Sequence, residues 1–480
     1  MNTVQRLFSN TFLALISQIV IKASNSLLFI LIGRWLGPAD SGVFSLGTTY
    51  FTLVFGLSAL GLHELLVREL APRREQSSRY FANYLALRVF LAFTTYGLLL
   101  LGLRLFLPYS ATTNQVILIL ALAAIPEAAF SICQSLFESH ERLSTPMMAA
   151  LAGSAVKLAV GIWLLQQGYG VVAAAWAVPL GGVASLLFFL PALPRLLRTT
   201  PQIAPGRLNV GFLRDQLRAT PSFFVIHLFS LVDYQADAFL ISLMLTEQYL
   251  GYYSAAQTIL LGFNLMPMAI RAAIYPVMTR YHHDAPDKLA LIYEKATHYL
   301  LALVLPMAAG ITLLAGPIIR LIFGPSFEPA VPVLQISIWA IVFLFLNVPG
   351  ARLLLINQYQ REASIMFGIA MAINVTLNLL LIPRLGISGA AIARTASNLT
   401  LFATFQIFAN RKIMPLRLGP MIIRPLIATA VMAAAIWPLR EMLFLPIAVG
   451  AAAYLVTAIV LGVFPRQDLA YWQQLIQFRS

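Results

Sequence analysis

The sequence predicts an all-α polytopic membrane protein of about fourteen transmembrane helices. Two six-helix lobes related by an internal repeat are expected, followed by two further helices at the C-terminus. Composition, the placement of positive charge and self-similarity along the chain carry this prediction. Of the 480 residues, 60% are hydrophobic and only 10% charged, with mean hydropathy +0.82, whereas a soluble domain runs about 25% charged. Uninterrupted runs such as VILILALAAIPEAAFSI exclude a β-barrel, whose strands are about ten residues long and alternate apolar with polar.

Taking roughly 20 residues as one span, the spans fall at about 11–33, 41–63, 80–104, 113–136, 145–167, 169–191, 219–244, 250–277, 296–318, 328–352, 363–383, 387–409, 419–438 and 442–464. The leader MNTVQRLFSN shows no cleavage site and reads as a short amphipathic lead into a retained first helix. RWLGPADSG separates the first two spans, and the basic stretch around APRREQSSR separates the second from the third. LPYSATTN, ESHERLST and LLQQGYG break the next three, the last being the shortest signal of the set. A long basic loop near 192–218 ends the first half. Thereafter TEQY, the tract around His282-His283-Asp284, GPSFEP, NQYQRE, RLGIS, RKIMPLRLG and LREM punctuate the remaining spans. Pro179, Pro267, Pro306 and Pro349 fall within or near spans, where they kink helices.

The charge tests this map. With a cytoplasmic N-terminus, alternate loops and the two termini collect 21 Lys and Arg, including Arg68, Arg73, Arg74, Arg195, Arg214, Arg411 and Lys412. The opposite loops hold five: Arg34, Arg104, Arg320, Arg384 and Arg440. That asymmetry supports the span count and puts both termini in the cytoplasm. It also accounts for the net charge of +14 without nucleic acid as a partner. The single cysteine, Cys133, cannot form an intramolecular disulfide.

The chain repeats itself. Gly42-Val43-Phe44-Ser45 aligns with Gly251-Tyr252-Tyr253-Ser254 at an offset of 209 residues, and Gly170 aligns with Gly386 at 216. Both offsets are close to six spans. The expected organisation is an N-terminal lobe (1–191), a basic cytoplasmic linker (192–218), a C-terminal lobe (219–410) and the last two helices with the tail (411–480). An even number of spans per lobe makes these parallel repeats about an axis along the membrane normal, compatible with alternating access.

Ionisable residues within or at the ends of spans are Lys22, Arg88, Glu127, Lys157, Asp233, Asp237, Arg271, Arg352 and Arg394. Such groups are costly in lipid and either snorkel, neutralise one another or mark a pathway. Arg271 and Arg352 suit snorkelling, whereas Lys22 and Lys157 sit near the middle of their spans. Gln18, Lys22 and Asn25 share a helical face, as do Arg394 with Asn398 and Asn374 with Asn378. The repeat sets Asn374 opposite Lys157. These faces suggest a net-cationic cavity suited to an anionic solute such as a phosphate or pyrophosphate group. Scattered snorkelling and helix-pairing polar contacts are the plainer alternative.

His227, Ser230, Asp233 and Asp237 form one stripe down the seventh span. Two like charges four residues apart repel. Pairing with basic groups, a proton or sodium site, or one role for each carboxylate all remain open. The chain has no GxxxxGK[ST] phosphate loop, no catalytic constellation and no metal-ligand spacing; His282-His283-Asp284 reads as a solvated loop. It is therefore expected to be no enzyme, and to need no cofactor or metal beyond a candidate coupling ion, H⁺ or Na⁺.

Three stretches carry a family resemblance. IGRWLGPADSGVFSLGTTY (32–50) resembles the first-loop signature of bacterial polysaccharide-biosynthesis flippases, within the multidrug/oligosaccharidyl-lipid/polysaccharide exporter superfamily. DAFLISLMLTEQYLGYYSAAQ (237–257) and LGISGAAIARTASNL (385–399) resemble the second-lobe counterpart and the twelfth-span pattern. The resemblance implies a fourteen-helix fold with a V-shaped cavity in the bacterial cytoplasmic membrane. It further implies movement of undecaprenyl-diphosphate-linked oligosaccharide (O-antigen, exopolysaccharide or capsule repeat units) from the cytoplasmic to the periplasmic leaflet. Lys22, Lys157 and Arg394 would hold the diphosphate-sugar head, with Arg34 and Arg88 next, and Asn374, Asn378 and Asn398 beside them. Membrane lipids, and a polysaccharide polymerase or glycosyltransferases, are the partners implied; the chain is expected to work as a monomer. An archaeal or other surface-glycan relative also fits. Two rival functions stay open: a proton- or sodium-coupled multidrug antiporter using Asp233 and Asp237, and a non-transporting scaffold for glycan-assembly enzymes.

Overall fold

The computed structural model describes residues 3–106, 109–199, 208–218, 221–264, 278–279, 281, 286–414 and 418–464. Among them every regular element is helical, and ten helices or broken helices are long and apolar enough to cross a membrane. The protein is thus an all-α, multi-pass membrane protein. It divides into two compact units, Met1–Ser254 and Ala255–Ser480.

The first unit starts with α1 (Thr3–Leu36) and α2 (Pro38–Ala59). Gly37, at φ 89°, makes the turn between them, and Pro38 occupies the first helical position, where its missing N–H costs nothing. The apolar run continues to Leu62, but α2 stops at Ala59 because Leu60 and Gly61 are left-handed, at φ 48° and 71°. A separate short helix, α3 (Leu62–Leu70), follows. Its Leu62, Leu66 and Leu70, one turn apart, are fully buried. The second span predicted to reach residue 63 is therefore shorter, and its end bends into an amphipathic helix.

The third span is α4 (Ser77–Leu105). The fourth is split into α5 (Ala111–Leu122) and α6 (Ala124–Ser139). Pro126 explains the break: it has no N–H for the Leu122 carbonyl. The fifth, α7 (Ser144–Gln166), turns through Gly168 and Gly170, both at positive φ. The sixth is split the same way as the fourth, into α8 (Gly170–Ala175) and α9 (Ala177–Phe188), with Pro179 four residues beyond Ala175. The basic linker contributes α10 (Ala192–Thr199) and α11 (Val210–Arg218). The unit closes with α12 (Pro221–Met244) and the first half of α13 (Glu247–Leu261).

Small residues set the helix spacing, as expected where lipid offers no hydrophobic drive between helices. α7 lies on α9 so closely that a Cβ at Gly153 would come 1.8 Å from Ser185 Oγ. A Cβ at Gly161 would meet Leu28 of α1 at 2.6 Å, and one at Gly47 would meet Leu120 of α5 at 2.4 Å. At one end of the unit Tyr80, Tyr84, Cys133, Leu136, Phe137 and Phe189 close a core over α3, α4, α6 and α9.

One contact joins the residues that the sequence aligns with each other. A Cβ on Gly42 would meet the Glu247 carbonyl at 1.6 Å, and one on Gly251 would meet the Pro38 carbonyl at 1.9 Å. Ser45 Oγ lies 2.5 Å from Ser254 Oγ. Gly42 and Gly251, Pro38 and Glu247, and Ser45 and Ser254 are each 209 residues apart, so α2 and α13 meet through matching positions.

The second unit holds α14 (Pro286–Ile322), α15 (Val331–Ile356), α16 (Gln360–Leu385), α17 (Ile387–Lys412), α18 (Leu418–Ile436) and α19 (Phe444–Val460). α15 and α16 pack on α17, and α18 packs on both α14 and α19. The last two helices are tied in by polar contacts as well as packing: Tyr454 Oη donates to the Ala302 carbonyl at 2.5 Å, and His298 Nε2 sits 2.8 Å from the Val463 carbonyl.

Candidate functional site

In the first unit a cavity of about 470 Å³ is lined by α1, α2, α6, α7 and α9 and opens to the surface. Its polar lining is Asn25, Glu127, Gln134, Glu138, Ser154, Lys157 and Ser185. The helices reach it through their small residues: Gly181 of α9 packs on the Lys157 Cβ, and a Cβ at Gly182 would lie 3.6 Å from Glu127 Oε1. Two neighbouring glycines on α9 thus seat an acid from α6 and a base from α7. The Lys157 ammonium donates to Asn25 Oδ1 of α1, and Ser24 Oγ reaches the Ser154 carbonyl at 3.4 Å.

Further along α6, Gln134 Nε2 donates to Glu138 Oε1 at 2.7 Å. Glu138 Oε2 pairs with His63 Nε2 of α3 at 3.3 Å, and Ser135 Oγ holds the other ring nitrogen at 2.6 Å. Beyond that pair the basic face begins, with Arg73–Glu69 at 3.0 Å and Arg74–Glu141 at 2.6 Å. His140, at the end of α6, lies below the ordinary imidazole range because burial disfavours its charge, as do Arg74 and Arg142; its hydrogen bond to the Leu136 carbonyl opposes the shift.

The expected site residues fall in different settings. Lys157 is buried and lines this cavity. Lys22 is half-buried on α1, and Arg34 is exposed at the end of that helix. Arg88 is buried on α4 and grips the last turn of α2, where helix carbonyls face the negative end of the dipole. It donates to Ser58 Oγ at 2.6 Å and the Phe55 carbonyl at 3.2 Å, with its guanidinium 4.7 Å from the Phe55 ring centroid. Asp237 is buried and accepts from Tyr253 Oη at 2.7 Å, while Asp233 is half-buried. The side chains of His227 and Ser230 lie outside the described residues, as do Arg271, Pro267 and His282-His283-Asp284.

In the second unit Asn374 and Asn378 are fully buried on α16, and Asn378 Nδ2 donates to the Asn374 carbonyl at 2.9 Å. On α17, Asn398 donates to the Arg394 carbonyl at 3.1 Å, and Asn347 of α15 reaches the Asn398 carbonyl at 3.4 Å. Asn374 Nδ2 and Asn347 Oδ1 have no hydrogen-bond partner among the described residues. Of these contacts, the bond from Asn347 to the Asn398 carbonyl crosses between helices, from α15 to α17.

Sequence reasoning passed over Gln134 and Glu138. Glu127, Gln134 and Glu138 are spaced seven and four, one face of a helix. Ending the fourth span at 136 hid that stripe. Asn25 was visible as a neighbour of Lys22, but its bond to Lys157 depends on how α1 crosses α7.

A profile of the polysaccharide biosynthesis protein family matches residues 5–332, over two thirds of the chain. The chain belongs to that family. The chain is 29% identical over 201 residues to a probable lipid II flippase, MurJ, of Rhizobium meliloti, covering 39% of this chain and 37% of that one. A probable low-salt glycan biosynthesis flippase, Agl15, of Haloferax volcanii is 26% identical over 163 residues, covering 34% of each chain. The chain spans about a third of the length of these curated relatives. In three dimensions it resembles the lipid II flippase MurJ in its inward closed conformation, with a TM-score of 0.73 at 15% identity over 96% of this chain and 99% of that one. At that identity the likeness establishes the fold.

Proposed function

We propose that this protein moves an undecaprenyl-diphosphate-linked oligosaccharide across the bacterial cytoplasmic membrane, from the cytoplasmic to the periplasmic leaflet, by alternating access. Family membership over residues 5–332 carries the reading, and the flippase names of two relatives point the same way. A chain of apolar helices with polar side chains inside suits a cargo with a charged head and a lipid tail. The tail stays in the bilayer while the diphosphate-sugar head passes through a polar path. Lys22, Arg34 and Arg394 are the cations offered to the diphosphate, and Asn374, Asn378 and Asn398 are the amides offered to sugar hydroxyls. The lobes of 1–191 and 219–410 would rock against each other, with both termini in the cytoplasm and the excess of Arg and Lys on that side. O-antigen, exopolysaccharide and capsule repeat units all share this head chemistry, and a polymerase or glycosyltransferase would act on either side of the step.

Depleting the protein in its own cell tests this. Lipid-linked oligosaccharide should accumulate in the cytoplasmic leaflet, out of reach of an impermeant glycosidase or lectin added outside. Unchanged outside-accessible glycan would contradict the proposal. Raised sensitivity to cationic dyes in place of glycan accumulation would favour the antiporter.

A further inference from the structure

The acid face of α6 is not absorbed by glycan translocation. Glu127 lies at the inner end of the cavity, and its carboxylate makes no hydrogen bond or ion pair within 4 Å among the described residues. An ionised carboxylate without donors inside a membrane domain is expensive, so its presence calls for a partner that comes and goes. At the outer end stand Gln134, Glu138 and His63, joined by contacts of 2.7 Å and 3.3 Å. The His63 and Glu138 side chains are 35% and 24% exposed, so this end of the cavity reaches the surface, next to the basic face. Between the two ends, a cavity of about 470 Å³ has room for on the order of ten waters.

We propose that Glu127 is a proton-binding carboxyl group, loaded from the basic face through His63, Glu138, Gln134 and the water-sized cavity between them. The transferred species is H⁺ alone: the carboxylate accepts it from solvent through the His63–Glu138 pair and returns it by the same or the opposite face. Lys157 is the group that senses the change. Its ammonium shares the cavity with Glu127 and holds Asn25, so protonating Glu127 removes the only free carboxylate near that ammonium among the described residues. The Lys157–Asn25 bond ties α7 to α1, and proton binding thereby acts on the contact between these two helices. A sodium ion fits less well. A hard cation asks for several oxygen ligands, whereas here Lys157 already takes the Asn25 oxygen and supplies a positive charge of its own.

The other charged groups around α6 do not reach Glu127 first. From α4, Arg88 is committed to Ser58 and Phe55. From α3 come His63 and, on the basic face, Arg68 and Glu69, which pair at 3.1 Å. α9 brings Gly181, Gly182 and Ser185, α2 brings Phe51, and α1 brings Asn25 with Lys22 half-buried one turn away. That proton binding drives transport rests on the flippase reading; the proton site itself does not.

Infrared difference spectroscopy of the purified full-length protein, titrated across roughly pH 5–9, reads the site directly. A protonated-carboxyl band should appear and disappear with pH, be lost in Glu127→Gln, shift its midpoint in Lys157→Gln, and ignore a sodium jump at constant pH. A band unchanged in Glu127→Gln, or one governed by sodium, overturns the proposal. If Glu127→Gln does not fold, Lys157→Gln decides: an unshifted titration overturns it. In proteoliposomes, a pH gradient should change the wild-type rate of lipid-linked oligosaccharide translocation several-fold, and Glu127→Gln should abolish that dependence. Wild-type translocation indifferent to the gradient overturns coupling while leaving the flippase reading intact. No wild-type translocation at all, with the infrared band as expected, overturns the flippase reading and leaves the proton site.

Discussion

Arg88 shows how one residue type can serve two purposes that a sequence cannot separate. Its position in an apolar span marked it as a candidate cavity cation, yet the guanidinium is buried against Ser58, the Phe55 carbonyl and the Phe55 ring. Arg88→Ala should therefore act on stability, removing two charge-assisted hydrogen bonds and the ring contact at a cost of about 1–3 kcal/mol. Arg88→Lys should recover only part, because an ammonium cannot reproduce the fork. Thermal unfolding in detergent checks both, and an unchanged midpoint in Arg88→Ala would show that the contact is not structural. His140 offers a pH test at the same scale. Its folded form favours the neutral ring, so its contribution is fully present above the unfolded imidazole value of about 6.5 and fades as pH falls below it. Between pH 7 and 5 the unfolding midpoint should drop more steeply in wild type than in His140→Gln; identical slopes would contradict this. Lys157 was legible from sequence because mid-span lysine has few innocent explanations. Its partner was not, since Asn25 lies 132 residues away and nothing local links them.

Among the elements, the helices were readable from hydropathy and their interruptions were not. The breaks after Leu122 and Ala175 each follow from a proline four residues on, but losing one rung leaves the apolar run intact, so a window of twenty residues passes over it. The end of α2 was misplaced for a related reason: Leu60 and Gly61 reverse the chain inside a continuous apolar stretch. The aligned glycines, by contrast, were visible, though not that they touch. Their contact predicts that Ser45→Cys with Ser254→Cys forms a disulfide under mild oxidation, since the two hydroxyls are 2.5 Å apart; the native Cys133 is buried and should stay silent. Failure to cross-link would place α2 and α13 elsewhere. Gly42→Val should force these helices apart and lower the unfolding midpoint by the equivalent of about 1–3 kcal/mol.

For the whole molecule, composition and charge placement were enough to name an all-α membrane protein, because lipid leaves a chain few ways to satisfy its backbone. The proposed function rests on family likeness, since no catalytic or nucleotide-binding pattern stands in the sequence. Intramembrane cations pointed to an anionic cargo, and the described cavity adds an acid-bearing pocket in the first unit to that picture. Leaflet translocation by the purified protein in vesicles, with lipid-linked oligosaccharide as cargo and a cationic dye as control, tests the central claim most directly. The account predicts glycan transfer well above protein-free vesicles, no dye uptake, and a loss of about tenfold or more, or about 1.4 kcal/mol, when Lys22 and Arg394 are both replaced by alanine in folded protein. Transfer no faster than in protein-free vesicles would contradict it.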